Sequence, residues 1–160
     1  MQTRHSSADE FADLSEAAKR QQIQARLIQF QQAMEIERIE QYFFIIAVNK
    51  AREWLSESAK ALPELQPVAK KFNDALPDVK ELRDMREHEI DYFKHKGWKQ
   101  SDFVRRHRST LADATGTIID DDNYFIGNRL SVQQAIVVAE QVYPAVVHAF
   151  QGIATSPEAE

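Results

Sequence analysis

Apolar residues return every three or four positions through most of this chain, the spacing of helices with one buried face. The pattern is strongest over Glu35–Ala61, where Ile36, Ile39, Phe43, Ile46 and Lys50 mark one face. Tyr42–Val48 is apolar all round, which predicts a central helix buried on most sides, with Phe43 in the core. Trp54 and Leu55 extend that helix, and Pro63 stops it. An earlier helix is predicted from the capping box Ser7-Ala8-Asp9-Glu10 through Phe30. Its apolar positions Phe11, Leu14, Ala18, Ile23, Leu27 and Phe30 keep the spacing imperfectly, and the Gln-rich stretch Gln21–Gln32 interrupts the stripe. Such a helix is only partly packed, or packs on a partner chain.

Pro67 suits the first turn of a helix running to about Ala75, and Leu76-Pro77-Asp78 breaks and restarts the chain. From Pro77 to about Lys96 the helical pattern resumes, with Val79, Leu82, Arg86, Ile90 and Phe93 on one side and Gly97 as the stop. Ser101–Ala114 is polar and reads as loop or short helix. The β-prone triplets Thr117–Ile119 and Tyr124–Ile126 flank Asp120-Asp121-Asp122-Asn123, which predicts a β-hairpin ended by Gly127. Ser131-Val132-Gln133-Gln134 opens a last helix towards Phe150, with Ala135, Ile136, Ala139, Val142, Tyr143, Val146 and Phe150 facing in and a kink at Pro144. The expected fold class is all-α: an antiparallel bundle of four to five helices with a small β-hairpin inserted before the last. It is read as one domain over 1–160, with frayed ends at 1–6 and 155–160.

The chain has 160 residues, enough for one sizeable core, and its 43% apolar and 28% charged residues are ordinary for a globular protein. Cysteine is absent, which excludes disulfides and thiolate metal sites and fits a reducing cytoplasm. The longest apolar run, Tyr42–Val48, is too short to cross a bilayer, and the polar Met1–Asp9 does not read as a signal peptide. The net charge of −5 argues against a general nucleic-acid coat protein. Locally the balance reverses. Lys94, Lys96, Lys99, Arg105, Arg106 and Arg108 face a single acid, Asp102, between Lys94 and Arg108, with Trp98 and Phe103 among them. Such a segment either grips phosphates and stacks bases, with Lys96, Trp98, Lys99, Arg105 and Arg106 as the RNA contacts, or is a solvated loop.

The candidate chemistry lies in Leu82-Arg83-Asp84-Met85-Arg86-Glu87-His88. An imidazole exchanges protons near neutral pH, and a guanidinium holds a phosphate and opposes the charge that develops on it. Arg83 with His88 resembles the Arg–(four to six residues)–His motif of the HEPN superfamily, small all-helical domains that include RNases of toxin–antitoxin and antiviral systems. The resemblance is best over Glu35–Gly97. It implies a metal-independent endoribonuclease without cofactor, acting as a homodimer whose paired motifs share a cleft, with an antitoxin protein as partner. His88 would move a proton at the ribose 2′-hydroxyl or the leaving oxygen, and Arg83 would stabilise the phosphate. Asp84, one turn from His88, would orient the imidazole, and Glu87, one turn from Arg83, would hold the guanidinium. Some members carry a Tyr two residues after the His; here that position is Ile90, and the nearest tyrosine is Tyr92. On a straight helix Arg83 and His88 project roughly 140° apart, so a distortion or a second copy is needed to aim both at one phosphate.

Three other readings use the same residues. One is a charged helix face laced with ion pairs four residues apart. Another is a non-catalytic helical homodimer serving as a protein-interaction module. The last is a metal-binding face, since Asp84, His88, Asp91 and His95 fall within about 60° on an ideal helix. His5, His107 and His148 carry no ligand pattern, and the chain has neither a Gly-rich phosphate loop nor a zinc-finger spacing.

Overall fold

The computed structural model describes residues 15–107, 110–121 and 123–154. It is mostly helical, with six α-helices among the described residues and small antiparallel sheets before the last helix. The chain divides into two units, residues 1–40 and 41–160. The capping box at Ser7 lies outside the described residues.

The described part of the first unit is the beginning of α1 (Glu16–Ala61). Ser15 caps it: its hydroxyl oxygen accepts a bond from the Ala18 N–H at 3.3 Å. Two separate helices were expected between Phe11 and Ala61, but α1 is continuous through the Gln-rich stretch. Glutamine is a good helix former, so losing the apolar stripe does not cost the backbone its helix.

The second unit contains the rest of α1, a 3-10 turn at Pro63–Leu65, α2 (Gln66–Ala75), α3 (Val79–Glu87), α4 (Glu89–Phe93) and α5 (Gln100–Phe103). Then come β1 (Val104–His107), β2 (Thr110–Asp113), β3 (Thr117–Asp120), β4 (Asn123–Ile126), β5 (Leu130–Ser131) and α6 (Val132–Ala154). β1 pairs with β2, while β3, β4 and β5 form a three-stranded antiparallel sheet in that order. The register of the expected hairpin runs from Thr117 opposite Ile126 to Asp120 opposite Asn123. α6 packs on α2 and on β4 and β5. Ser131 caps it, accepting from the Gln134 N–H at 3.1 Å, and the Gln134 side chain donates to the Ala75 carbonyl at 3.0 Å, tying the start of α6 to the end of α2.

The core reverses the expected orientation of α1. Phe43, expected inside, is 65% exposed, and Ile36 and Ile39 are exposed with it. The buried side is roughly opposite and carries Gln41, Ile45, Asn49, Leu55 and Ala59. Gln41 Nε2 donates there to Thr117 Oγ1 at 2.7 Å and to the Tyr124 hydroxyl at 2.8 Å, while Asn49 Nδ2 donates to Glu53 on the same helix at 2.7 Å and its buried Oδ1 has no hydrogen-bond partner. Tyr42–Val48 offers apolar side chains on every side, so apolarity does not select the covered face; the partners that Gln41 finds on the β3–β4 hairpin favour the side that carries it.

α3 buries Val79, Leu82, Met85 and Arg86. Gly127, at φ +60°, lies against it: a Cβ there would come within 2.5 Å of Leu82 Cδ1 and 2.8 Å of the Ala114 carbonyl oxygen. The long helix expected from Pro77 to Lys96 is broken at His88, whose φ/ψ of −112°/23° is not helical. The break redirects the apolar side, leaving Ile90 and Phe93 exposed. His95, at φ +58°, turns the chain after α4, while Gly97 is glycine because the Tyr92 ring occupies the space a Cβ would need. In α6 the buried line is Ala135, Val138, Val142 and Ala149; Ile136, Ala139, Tyr143 and Phe150, expected inside, are exposed. The exposed Phe150 still stacks on Trp54, with ring centroids 5.3 Å apart.

Truncation separates the two sides. Leu82→Ala or Met85→Ala, each at a fully buried position, is expected to cost about 2–5 kcal/mol in urea denaturation. Phe43→Ala is expected to stay within about 1 kcal/mol of the parent, since most of its surface is already in water.

Candidate functional site

The break at His88 decides the geometry of the sequence-derived site. Arg83 stays on α3 among acids. Its Nη1 donates to Glu53 Oε1 at 3.3 Å, its Nη2 donates to Asp84 Oδ1 at 2.7 Å, and its Nε lies 3.5 Å from Glu87 Oε1. Glu53 belongs to α1 and also takes bonds from Lys50 and Asn49, which hold its carboxyl below the ordinary glutamate range. One guanidinium, its side chain 23% exposed, therefore sits among three carboxylates. That arrangement suits an α1–α3 tie and opposes the approach of a phosphate.

His88 lies at the junction of α3 and α4 with its side chain 64% exposed, and its Nδ1 is 3.8 Å from Asp91 Oδ2. Asp84, expected to orient the imidazole, is the partner of Arg83 instead. Glu87 does stand beside the guanidinium, as its spacing on the helix requires. Tyr92 is buried, stacks on Phe103 at 4.9 Å, and has a hydroxyl without a hydrogen-bond partner. No group of three or more His, Asp or Glu side chains with metal-binding geometry occurs among the described residues. The Asp84/His88/Asp91/His95 face assumed a straight helix; the break at His88 and the turn at His95 prevent it from forming.

Two cations of the basic segment after α4 are committed to internal pairing. Lys99 Nζ donates to Glu81 Oε2, and Arg105 donates to Asp78 Oδ2 at 2.8 Å and to Glu81 Oε1 at 3.0 Å. Arg129 joins from the β4–β5 turn, its side chain 0% exposed and its Nε 3.9 Å from Glu81 Oε1. It donates to the Gly127 carbonyl at 2.8 Å and to the Asp102 carbonyl. Lys96, Trp98 and Arg106 face solvent, and the Lys99 ammonium lies 4.8 Å from the Trp98 ring centre. The five proposed RNA contacts thus separate into an exposed set and a pair locked onto α3.

Asp78, Glu81 and Arg129 carried no sequence signal, because the charged partners they meet lie 18 to 48 residues away. Burial pushes the Glu81 carboxyl up, but Lys99, Arg105 and Arg129 outweigh it, leaving Glu81 below its ordinary value. The bond to Glu81 holds Lys99 above its ordinary value. Burial, then the like charge of Arg105, lowers Arg129.

Ile23, Leu27, Phe30 and Met34 recur at steps of four, three and four on one face of α1, and their exposure runs from 50% to 64%. Comparison of the chain with protein-family models, with curated proteins and with solved structures finds no match.

The lowered Glu81 carboxyl has a pH consequence. A carboxyl lowered by folding stabilises the protein above its unfolded value, about 4.3, and that contribution disappears as pH falls through the lower folded value. Glu81→Gln is therefore expected to reduce stability near neutral pH and to flatten its fall below about pH 4.3. Urea midpoints from pH 7 to pH 3 check this; parallel curves for parent and variant would refute it.

Proposed function

We propose that this chain is a non-catalytic protein-interaction module that works through the first part of α1. The observation that carries this reading is the exposed line Ile23, Leu27, Phe30 and Met34. Fully burying a large apolar side chain is worth about 1.5–3 kcal/mol, so four on one face are a substantial reason to bind. A line at three- and four-residue steps is what another amphipathic helix fits. The flanking Gln21, Gln24, Gln29, Gln31 and Gln32 keep the arm wettable until it meets its partner.

A second reading is the HEPN-like endoribonuclease, favoured by the mostly helical fold and the accessible His88 imidazole beside Asp91. The helical-bundle arrangement and a cytoplasmic location belong to this proposal, and the antitoxin would then be the protein that covers the α1 arm. The carboxylates around Arg83 rank it second.

Two measurements separate the readings. Leu27→Asp with Phe30→Asp is expected to abolish association in light scattering of protein isolated from the cells that make it, while leaving the thermal unfolding of residues 41–160 unchanged. An assembly that survives both changes would sink the module reading. For the nuclease, protein freed of partners is incubated with single-stranded RNA in EDTA. The module reading expects intact RNA. Cleavage that His88→Ala slows at least about a hundredfold, the contribution of a positioned proton-transfer group, would put the nuclease first.

A further inference from the structure

The apolar line of the arm is closed at each end by a charge. Arg20 precedes Ile23 by three residues, and Glu37 follows Met34 by three. Arg20, Ile23, Leu27, Phe30, Met34 and Glu37 thus form one seam at alternating steps of three and four, the pattern of a two-helix coiled coil. All six lie within the helical part of the first unit. Arg20 is exposed and Glu37 is half-buried.

We infer that the occupant of this seam is a second copy of the chain, lying antiparallel, with the two-fold axis between Ile28 and Gln29. This inference rests on the interaction-module reading and names its partner. The argument is charge complementarity. In the antiparallel register centred there, Leu27 meets the partner's Phe30, Ile23 meets the partner's Met34, and Arg20 meets the partner's Glu37. Each opposed pair occurs twice, because a two-fold contact is reciprocal. Lys19 and Glu40, on one side of the seam, are brought together by the same register. Lys19 now holds Glu16 at 3.2 Å in an exposed pair, which is readily exchanged.

The parallel alternative fails on the same residues. In register, it sets Arg20 against Arg20 and Glu37 against Glu37, and like charges at both ends of a short apolar seam oppose association. Only four apolar layers separate the charged ends, so the dimer is expected to depend on those ends.

The chain has no cysteine, so introduced cysteines report the arrangement without background. A disulfide needs Cα atoms within about 7 Å of each other. Antiparallel pairing sets position 23 opposite position 34, and leaves each about 16 Å from its own copy along the axis. A mixture of Ile23→Cys and Met34→Cys full-length chains is expected to cross-link between the two variants, while neither cross-links alone. Sedimentation equilibrium of the cysteine-free chain is expected to show a monomer–dimer equilibrium. Arg20→Glu alone and Glu37→Arg alone are each expected to weaken it about tenfold or more. The double variant is expected to return within about threefold of wild type.

Cross-linking of Ile23→Cys with itself would overturn the antiparallel arrangement. So would equal dimerisation of the single charge variants and wild type. A chain monomeric at all concentrations overturns the second copy. If that monomeric chain still co-elutes with another helical protein and loses it on Leu27→Asp with Phe30→Asp, the module reading survives. If no arm-dependent partner appears, both readings fall.

Discussion

A guanidinium withdrawn from solvent must be answered from inside the protein, and the arrangement around α3 follows from how Arg129 is answered. The carbonyls of Gly127 and Asp102 accept hydrogen bonds from its Nη1 and Nη2, and Glu81 supplies an opposite charge near its Nε, which has no hydrogen-bond partner. Glu81 also holds Lys99 and Arg105, so one carboxylate on α3 fixes the approach to α5, the start of β1 and the β4–β5 turn. Two further anchors on the same helix work with it. Leu82 packs where Gly127 leaves no room for a side chain, and the buried Arg86 donates to the Thr115 carbonyl at 3.0 Å. Breaking this group leaves the buried Arg129 and Arg86 guanidinium groups short of partners, which costs more than the loss of exposed pairs such as Lys60 with Glu57.

The same economy explains why the site suggested by the sequence has changed its meaning. Arg83 and the basic run after α4 supply the residue types that RNA chemistry requires. In space several of them meet acids that the sequence places far away: Glu53 joins Asp84 and Glu87 around Arg83, and Asp78 and Glu81 take Arg105. A cation drawn into such pairs becomes part of the fold's internal electrostatics. What the second unit offers to solvent is a different set, including Lys96, Trp98, Arg106 and His88.

Local chemistry was legible in the sequence where it acts over a few residues. The β3–β4 hairpin follows from two β-prone triplets around a turn whose Asp121 takes φ +53°, and α2 and α6 begin where Pro67 and Ser131 place them. The β1–β2 hairpin was hidden because Arg105, Arg106 and Asp113 obscure the alternation of a half-buried strand. The break at His88 has no Gly or Pro to announce it. The orientation of α1 was ambiguous for a different reason. A segment apolar on all sides has two eligible core faces, and the choice depends on amide partners more than seventy residues away.

Those amide bonds bear on the order in which the second unit assembles. The hairpins close over a few residues, and α3 meets the segment after it across some twenty to thirty. Gln41 reaches Thr117 and Tyr124 across 76 and 83 residues of chain. Closing so long a loop costs entropy before any contact repays it. Docking of the Gln41 side of α1 onto the β3–β4 hairpin therefore carries the largest closure entropy of these contacts, and the local ones are favoured to form before it. Until then, an apolar helix surface and a sheet face stand open together, and a newly made chain is at its most prone to aggregate.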